Sequence, residues 1–460
     1  MSEYQFSSLT LRPELVNNLE SLGFNSMTAI QAQSLPMILA GQDVIAQGQT
    51  GSGKTAAFGL GILNKLDEKN FNVQSLVLCP TRELAEQVSG EIRRLARGVA
   101  NVKVATVYGG TPLKAQAASL NKGVHIVVGT PGRIEDHLGK GTLGLSHMST
   151  LVLDEADRML DMGFQKTLEA IIEAVPTHRQ TLLFSATFPN KIKLIAEDIM
   201  QNPSMTQVAP TQDTVRVEQA FFVVDNEQDR LQSLKLLLLD NSHKQSVVFC
   251  NTRQDTQAVA GALKSAGFSA AALHGDMEQK DRDQTLIRFS NSSINILVAT
   301  DVAARGLDID SLALVFNYHL PRELEVYTHR IGRTGRAGEK GQAYSLFQTS
   351  EQFRVDQLEA YLEQEIRHSE LPLIQLLTQA PARPTMSTLR VEGGKRQKLR
   401  AGDLVGALTK APEISGDNIG KIQVMDNWAY VAIERPLSKI ALKQLSDGKI
   451  KGKSFRARLI

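Results

Sequence analysis

Short β-rich apolar runs, each followed by a longer stretch with helical spacing, constrain this chain more than any other feature. In the first part the runs fall at 44–46, 76–78, 102–108, 125–128, 151–153 and 181–184. A continuous apolar run of this length suits a strand buried on both faces, the condition of a parallel sheet. Alternation with helices then predicts a doubly wound α/β domain. A turn-rich stretch at 201–213 breaks the pattern and reads as a linker. The same grammar restarts at 220–224, 246–250, 270–273, 294–299, 312–317 and 343–347, ahead of a helical segment at about 350–367. A second domain of the same kind is expected there.

A Pro-containing stretch at 379–384 reads as a second linker. Beyond it the runs at 389–391, 422–424, 429–433 and 455–460 alternate with helical segments near 402–410 and 437–446. That order, β-α-β-β-α-β, is the split-βαβ plan. The expected domains are 1–208, 214–372 and 386–460, in keeping with 460 residues at about 150 per domain.

With 42% hydrophobic and 22% charged residues, the chain can bury sizeable cores and is neither disordered nor collagenous. The net charge of +2 hides an asymmetry. Residues 381–460 hold 16 Lys and Arg against 7 Asp and Glu, a net of +9, and the other 380 residues have a net of −7. A basic tail on an acidic body points to a polyanion partner for the tail. Cys79 and Cys250 each end an apolar run, so both are expected as buried strand cysteines without a disulfide. No apolar run approaches the roughly 18 residues of a membrane span, and the first residues lack the pattern of a signal peptide. A reducing compartment, most simply the cytoplasm, is the expected location.

Gly48-Gln49-Thr50-Gly51-Ser52-Gly53-Lys54-Thr55 matches G-x-x-x-x-G-K-[ST] between a strand and a helical stretch, the context that phosphate loop requires. Its glycines let backbone N–H groups curl around phosphate oxygens, and the helix N-terminus adds positive potential. Lys54 is expected on the β- and γ-phosphates of ATP and the Thr55 hydroxyl on Mg²⁺. The strand at 151–153 delivers Asp154 and Glu155. Asp154 is expected to hold Mg²⁺ through water, and Glu155 to orient and deprotonate the attacking water.

This loop, with Asp-Glu-Ala-Asp at 154–157, resembles the DEAD-box RNA helicases. The resemblance covers about 1–370, with nearly every family motif in order. It implies two tandem RecA-like parallel-sheet domains that share one ATP and one RNA strand. Phe24 with Thr28-Ala-Ile-Gln31 resembles the adenine-reading motif, and Phe6 the aromatic that stacks on the base. Pro80-Thr-Arg82-Glu-Leu84, Gly109-Gly110 and Thr130-Pro-Gly-Arg133 resemble RNA-contact loops, which puts Arg82, Gly110, Thr130 and Arg133 on RNA. Ser185-Ala-Thr187 resembles the motif that couples the ATP site to RNA, with Asp157 and His329 as further coupling residues. In the second domain Arg253, Gly275, Arg282 and Thr300 resemble the other half of the RNA groove, and Asp308 the ribose contact.

That domain has no phosphate loop of its own. In His329-Arg-Ile-Gly-Arg333-Thr-Gly-Arg336, Arg333 and Arg336 are by resemblance arginine fingers on the γ-phosphate. A finger supplies ~10³–10⁵ in rate.

The tail order fits an RNA-recognition-motif-like α+β domain. Trp428 and Tyr430 lie at alternate positions of its third strand, either as base-stacking residues or as ordinary strand residues. Basic residues cluster at 395–400 and at Lys449, Lys451, Lys453, Arg456 and Arg458, and RNA is the expected ligand. Stretches at 402–408, 418–422 and 448–453 resemble one bacterial subgroup of the family. There the tail binds a hairpin of large-subunit (23S) ribosomal RNA, which implies a role in large-subunit assembly. Two other readings stay open: an ATP-gated RNA clamp with little unwinding, and a DNA-directed motor of related architecture. A monomer is favoured.

Overall fold

The computed structural model describes residues 4–48, 51–188, 190–208, 217–304, 312–335 and 341–460. The chain divides into two compact units. The first, lobe 1, holds a sheet of seven strands: β1 (Val44–Gln47), β2 (Ser75–Leu78), β3 (Val104–Val107), β4 (Ile126–Gly129), β5 (Thr150–Asp154), β6 (Gln180–Ser185) and β7 (Ser204–Gln207). Their order is β3-β4-β2-β5-β6-β1-β7, with parallel pairing throughout. β2, β4, β5 and β6 are buried along their whole length, as continuous apolar runs require.

Helices cover both faces of this sheet and make two cores. One contains Ala46, Val77, Val128, Val152 and Phe184, and the other Ile45, Leu76, Val127, Leu151 and Leu183. Neighbouring residues of one strand thus feed opposite cores, which is the period of two. One expectation needs correcting. Residues 204–207 lie inside the stretch read as a linker, yet they form edge strand β7 beside β1. Only Thr206 of the four is buried, so no apolar run marks the strand.

The second unit holds two sheets. Lobe 2 is built on β8 (Val217–Val224), β9 (Ser246–Cys250), β10 (Ala270–Leu273), β11 (Ile296–Thr300), β12 (Leu314–Asn317) and β13 (Gly341–Gln348), in the order β10-β11-β9-β12-β13-β8, all parallel. The long helical segment expected at 350–367 is a shorter helix, Gln352–Leu362. It is followed by a further turn, Ile374–Thr378, whose Leu376 and Leu377 pack on the lobe 2 core.

The tail sheet is antiparallel, with strands β14 (Met386–Val391), β15 (Ile419–Val424), β16 (Ala429–Glu434) and β17 (Ala457–Leu459) in the order β15-β16-β14-β17. Helices Ala401–Leu408 and Ser438–Asp447 cover one face and complete the β-α-β-β-α-β plan. The fold is therefore two RecA-like parallel-sheet lobes and a small α+β tail. Cys79 and Cys250 are free and buried. No helix among the described residues is long and apolar enough to cross a membrane.

Candidate nucleotide and RNA sites

In lobe 1 the motif residues follow the carboxyl ends of parallel strands, so the sheet gathers them along one edge, where open α/β sheets bind ligands. The phosphate loop follows β1, Arg82 follows β2, Gly110 follows β3 and Thr130 with Arg133 follow β4. Asp154 ends β5 and Ser185 ends β6.

Gly51 and Gly53 take positive φ, +86° and +92°, so the loop curls into the helix Lys54–Lys65 without a Cβ penalty. Lys54 is buried, and its Nζ donates to the Gly48 carbonyl at 2.8 Å, inside the curl. The Gly48 N–H donates to the Ser185 carbonyl at 3.0 Å, which ties the loop to the end of β6. Gln49 and Thr50 lie outside the described residues.

Gln31 is buried against this loop rather than open to solvent. Its Oε1 accepts from the Thr28 N–H (2.9 Å), and its Nε2 donates to the Gly53 carbonyl (3.1 Å). The Thr28 hydroxyl donates to the Ser52 carbonyl at 2.7 Å. One capping box thus starts the helix Ala29–Leu39 and grips the phosphate loop. Phe6 is buried edge-on to Phe24 at 6.2 Å, and the Arg94 guanidinium lies 5.0 Å from the Phe24 ring centre.

Asp154 is buried, and its Oδ1 has no hydrogen-bond partner among the described residues. Burial pushes its carboxyl up to about 7; Lys54 opposes the shift and Glu155 adds to it. An orphaned, desolvated carboxyl oxygen separated by β6 alone from the strand that carries a Lys-Thr loop fits a hydrated divalent cation. Phosphate oxygens and water supply most of the ligands in such a site. No group of three or more His, Cys, Asp or Glu that could hold a metal occurs among the described residues.

Glu155 sits at the strand-to-helix corner with φ +54° and ψ +51°, a left-handed geometry that costs a non-glycine residue about 1–2 kcal/mol. Its Oε2 pairs with Arg158 Nη1 at 3.1 Å, and both side chains are buried. Motif matching overlooked Arg158; its signal was an arginine three positions along a helix from an acid. Asp157 completes the cluster. Its Oδ2 accepts from the Thr187 N–H (3.0 Å) and Thr187 Oγ1 (2.8 Å), and its own N–H reaches Ser185 Oγ at 3.4 Å. Burial drives the Asp157 carboxyl up, but the Arg158 charge and the Thr187 and Ser185 hydrogen bonds outweigh it and hold the group below the usual Asp range.

Beside this cluster the Arg82 guanidinium lies against Gly109 and Gly110; a Cβ on Gly109 would stand 3.1 Å from Arg82 Nη2. Gly110 has φ +85°. Arg133 Nη1 donates to the Thr111 carbonyl (2.9 Å) and Gln116 Oε1 (3.0 Å), so it joins the same loop, while Thr130 is buried.

In lobe 2 Arg253 pairs with Asp276, and Arg282 Nη2 donates to the Ala303 carbonyl at 3.0 Å. Thr300 ends β11, and Gly275 follows β10. Arg330, quoted within a motif but given no role, is a hub. It is 2% exposed and donates to both Asp301 carboxylate oxygens (2.6 and 2.8 Å), Asn251 Oδ1 (2.9 Å), Asn317 Oδ1 (3.2 Å) and the His319 carbonyl (2.6 Å). It thereby pins the ends of three strands. Arg333, two residues past the helix Leu324–Ile331 that carries His329, is buried. Arg336 and Asp308 lie outside the described residues.

Comparison with known proteins covers nearly the whole chain. Residues 28–195 match the DEAD/DEAH box helicase family, residues 229–338 the helicase conserved C-terminal domain, and residues 388–459 the DbpA RNA binding domain. The chain is 48% identical to the ATP-dependent RNA helicase DbpA of Escherichia coli (strain K12) over 456 residues, 99% of each chain. It is 37% identical to DbpA of Bacillus subtilis (strain 168), over 98% of each. Among solved structures, S. cerevisiae Dbp5 bound to RNA and ADP BeF3 superposes with a TM-score of 0.73 at 30% identity, covering 80% of this chain and 95% of that one.

Proposed function

This chain belongs to the DEAD-box ATP-dependent RNA helicases, of the DbpA type, and from that premise we propose that its target is large-subunit (23S) ribosomal RNA. Its place is then in assembly of the large ribosomal subunit, in the cytoplasm. The observation that carries the reading is the match of residues 388–459 to the DbpA RNA binding domain. In the subgroup whose stretches this tail resembles, that module binds a ribosomal RNA hairpin, and the +9 net charge of residues 381–460 suits a polyanion.

The core needs such an address. Contacts to a single strand in a helicase groove fall mostly on phosphate and sugar and carry little sequence information. Arg82, Gly110, Thr130, Arg133, Arg253, Gly275, Arg282 and Thr300 take that part, and Lys449, Lys451 and Lys453 belong to the tail's RNA surface.

In this reading most of the chemistry runs along the edge of lobe 1, with His329 and Arg333 contributed by lobe 2. Gly48, Gln49, Thr50, Gly51, Ser52 and Gly53 wrap the phosphates, Lys54 neutralises them, and Thr55 and Asp154 hold Mg²⁺, Asp154 through water. When bound, Mg²⁺ spreads the charge that develops on the transferred phosphoryl group. Phe6, Phe24 and Gln31 form the base side of the site and Asp308 the ribose contact. Glu155 takes the proton of the attacking water. Asp157, Ser185, Thr187 and His329 relay the nucleotide state to the RNA loops, while Arg333 and Arg336 act as fingers on the γ-phosphate. In this reading ATP and RNA each favour the closed arrangement of the lobes, and hydrolysis releases it, so unwinding is local.

Steady-state ATPase in the presence of a 23S transcript, a 16S transcript and DNA of the 23S sequence tests the target. The 23S RNA should half-saturate at a concentration at least tenfold below the others; equal stimulation by all three rejects it. Displacement of a short duplex tests unwinding, and its absence leaves the clamp.

A further inference from the structure

We propose that Gln116 and His137, which lie outside every motif matched above, are positioning residues for RNA. Through one side-chain amide they lock the Gly110 loop to Arg133, so that the two meet a strand as one surface. The proposal rests on the reading of these two loops as RNA contacts.

The loops leave different strands. Gly109 to Thr111 follow β3, and Thr130 to Arg133 follow β4, which pairs with β3 in parallel. Parallel pairing brings both loops to one edge of the sheet but does not fix how their side chains point. The helix Leu113–Leu120 lies between them in sequence and buries only Leu120. A helix of eight residues with so little packing is weakly held by its own backbone. Its polar side chain Gln116 reaches back to both loops.

The Gln116 amide is fully engaged. Its Nε2 donates to the Tyr108 carbonyl at 2.9 Å and to Thr111 Oγ1 at 2.6 Å, bracketing Gly109 and Gly110 from both sides. Its Oε1 accepts from Arg133 Nη1 at 3.0 Å and lies 3.2 Å from His137 Nε2. An amide oxygen only accepts, so His137 carries its proton on Nε2 and donates. His137 is 0% exposed and stands one turn after Arg133 on the helix Pro131–Gly139. Its Nδ1 lies 2.7 Å from Thr142 Oγ1, and the Thr142 N–H donates to the His137 carbonyl at 3.0 Å. A ring held at both nitrogens pins the plane of the amide it meets.

Arg133 has little freedom of its own. Its side chain is 13% exposed, Nε lies 3.3 Å from Asp136, and Nη1 donates to the Thr111 carbonyl as well as to Gln116. Arg82 lies against Gly109 and Gly110 of the same loop. What these arginines offer a phosphate is therefore set by the network before RNA arrives. Groups already held lose less side-chain entropy on binding.

The experiment follows steady-state ATPase of the full chain against rising single-stranded oligouridylate. Gln116→Leu should raise the RNA concentration for half-maximal stimulation at least tenfold, with KM for ATP and kcat at saturating RNA within threefold of the unmodified protein. His137→Leu should shift the RNA dependence at least fivefold in the same direction. His137→Gln keeps a donor toward the Gln116 amide and should return to within twofold. A network that served stability alone would disturb KM for ATP, kcat and Tm together, without rescue by His137→Gln. That pattern, or an unchanged RNA dependence in Gln116→Leu, overturns the proposal. Arg82→Ala and Arg133→Ala test the reading beneath it. If neither weakens RNA stimulation, the loops are not RNA contacts and both ideas fall; if they weaken it while Gln116→Leu does not, the positioning role falls alone.

Discussion

At the scale of single residues, the acidic corner of lobe 1 separates binding from chemistry. Glu155 sits in a strained left-handed conformation, paired with the buried Arg158. Glu155→Gln keeps the side-chain shape and removes the base proposed above. The variant should bind ATP and RNA with near-normal affinity and turn over at least a hundredfold more slowly, as read by filter binding beside steady-state ATPase. Arg158→Met removes the partner of a buried carboxylate and should cost both stability and kcat.

Asp157 carries a pH signature. Its folded carboxyl titrates below the ordinary Asp range, so its contribution is present above that range and disappears as pH falls through the folded value. Asp157→Asn should lose at least about 2 kcal/mol of unfolding free energy at neutral pH, because charged hydrogen bonds to Thr187 go with it. Near pH 3 the two proteins should differ less, which denaturant titrations at both pH values would show. The sequence made Lys54, Asp154 and Glu155 legible because spacing alone places them. It hid Arg158 and Arg330, whose partners come together only through a helix turn or across three strands.

At the scale of elements, the phosphate loop and the helix that grips it form one unit. A Cβ on Gly53 would stand 2.5 Å from Gln31 Nε2 and sit at φ +92°. Gly53→Ala should therefore dislodge Gln31 and strain the loop together. The expected outcome is a rise of at least tenfold in KM for ATP with a smaller fall in kcat, measured at saturating RNA. Strands buried on both faces were readable, because burial writes itself as an unbroken apolar run, as in 76–78 and 151–153. β7 was not, because an edge strand needs few apolar residues and its pairing with β1 stabilises Ser-Met-Thr-Gln through backbone bonds. The two basic loops of the tail were readable as charge but not as neighbours, since sheet closure alone brings Lys451 to Lys398.

At the scale of the whole molecule, the shared-ligand reading makes a reciprocal demand. If a non-hydrolysable ATP analogue tightens RNA binding by some factor, RNA must tighten the analogue by the same factor. Titrations in both directions, at fixed salt, check it; affinity changes that fail to match would mean the two ligands act on different states. The lobes and the tail fold were expected from the sequence, whereas the seating of the tail was not. Thr388 and Tyr430 alternate with core residues as any solvent-facing pair would, and nothing local says that a neighbouring lobe covers them.

A tail clamped to lobe 2 by Thr388, Ser293 and Asn291 behaves like the fixed leg of a drawing compass. If the tail binds the proposed ribosomal RNA, the radius within which the motor reaches a duplex is set by protein geometry rather than by slack chain. Inserting base pairs between the landing site and the duplex should then make strand separation rise and fall with the pitch of the RNA helix. A swivelling tether would give only a gradual decline.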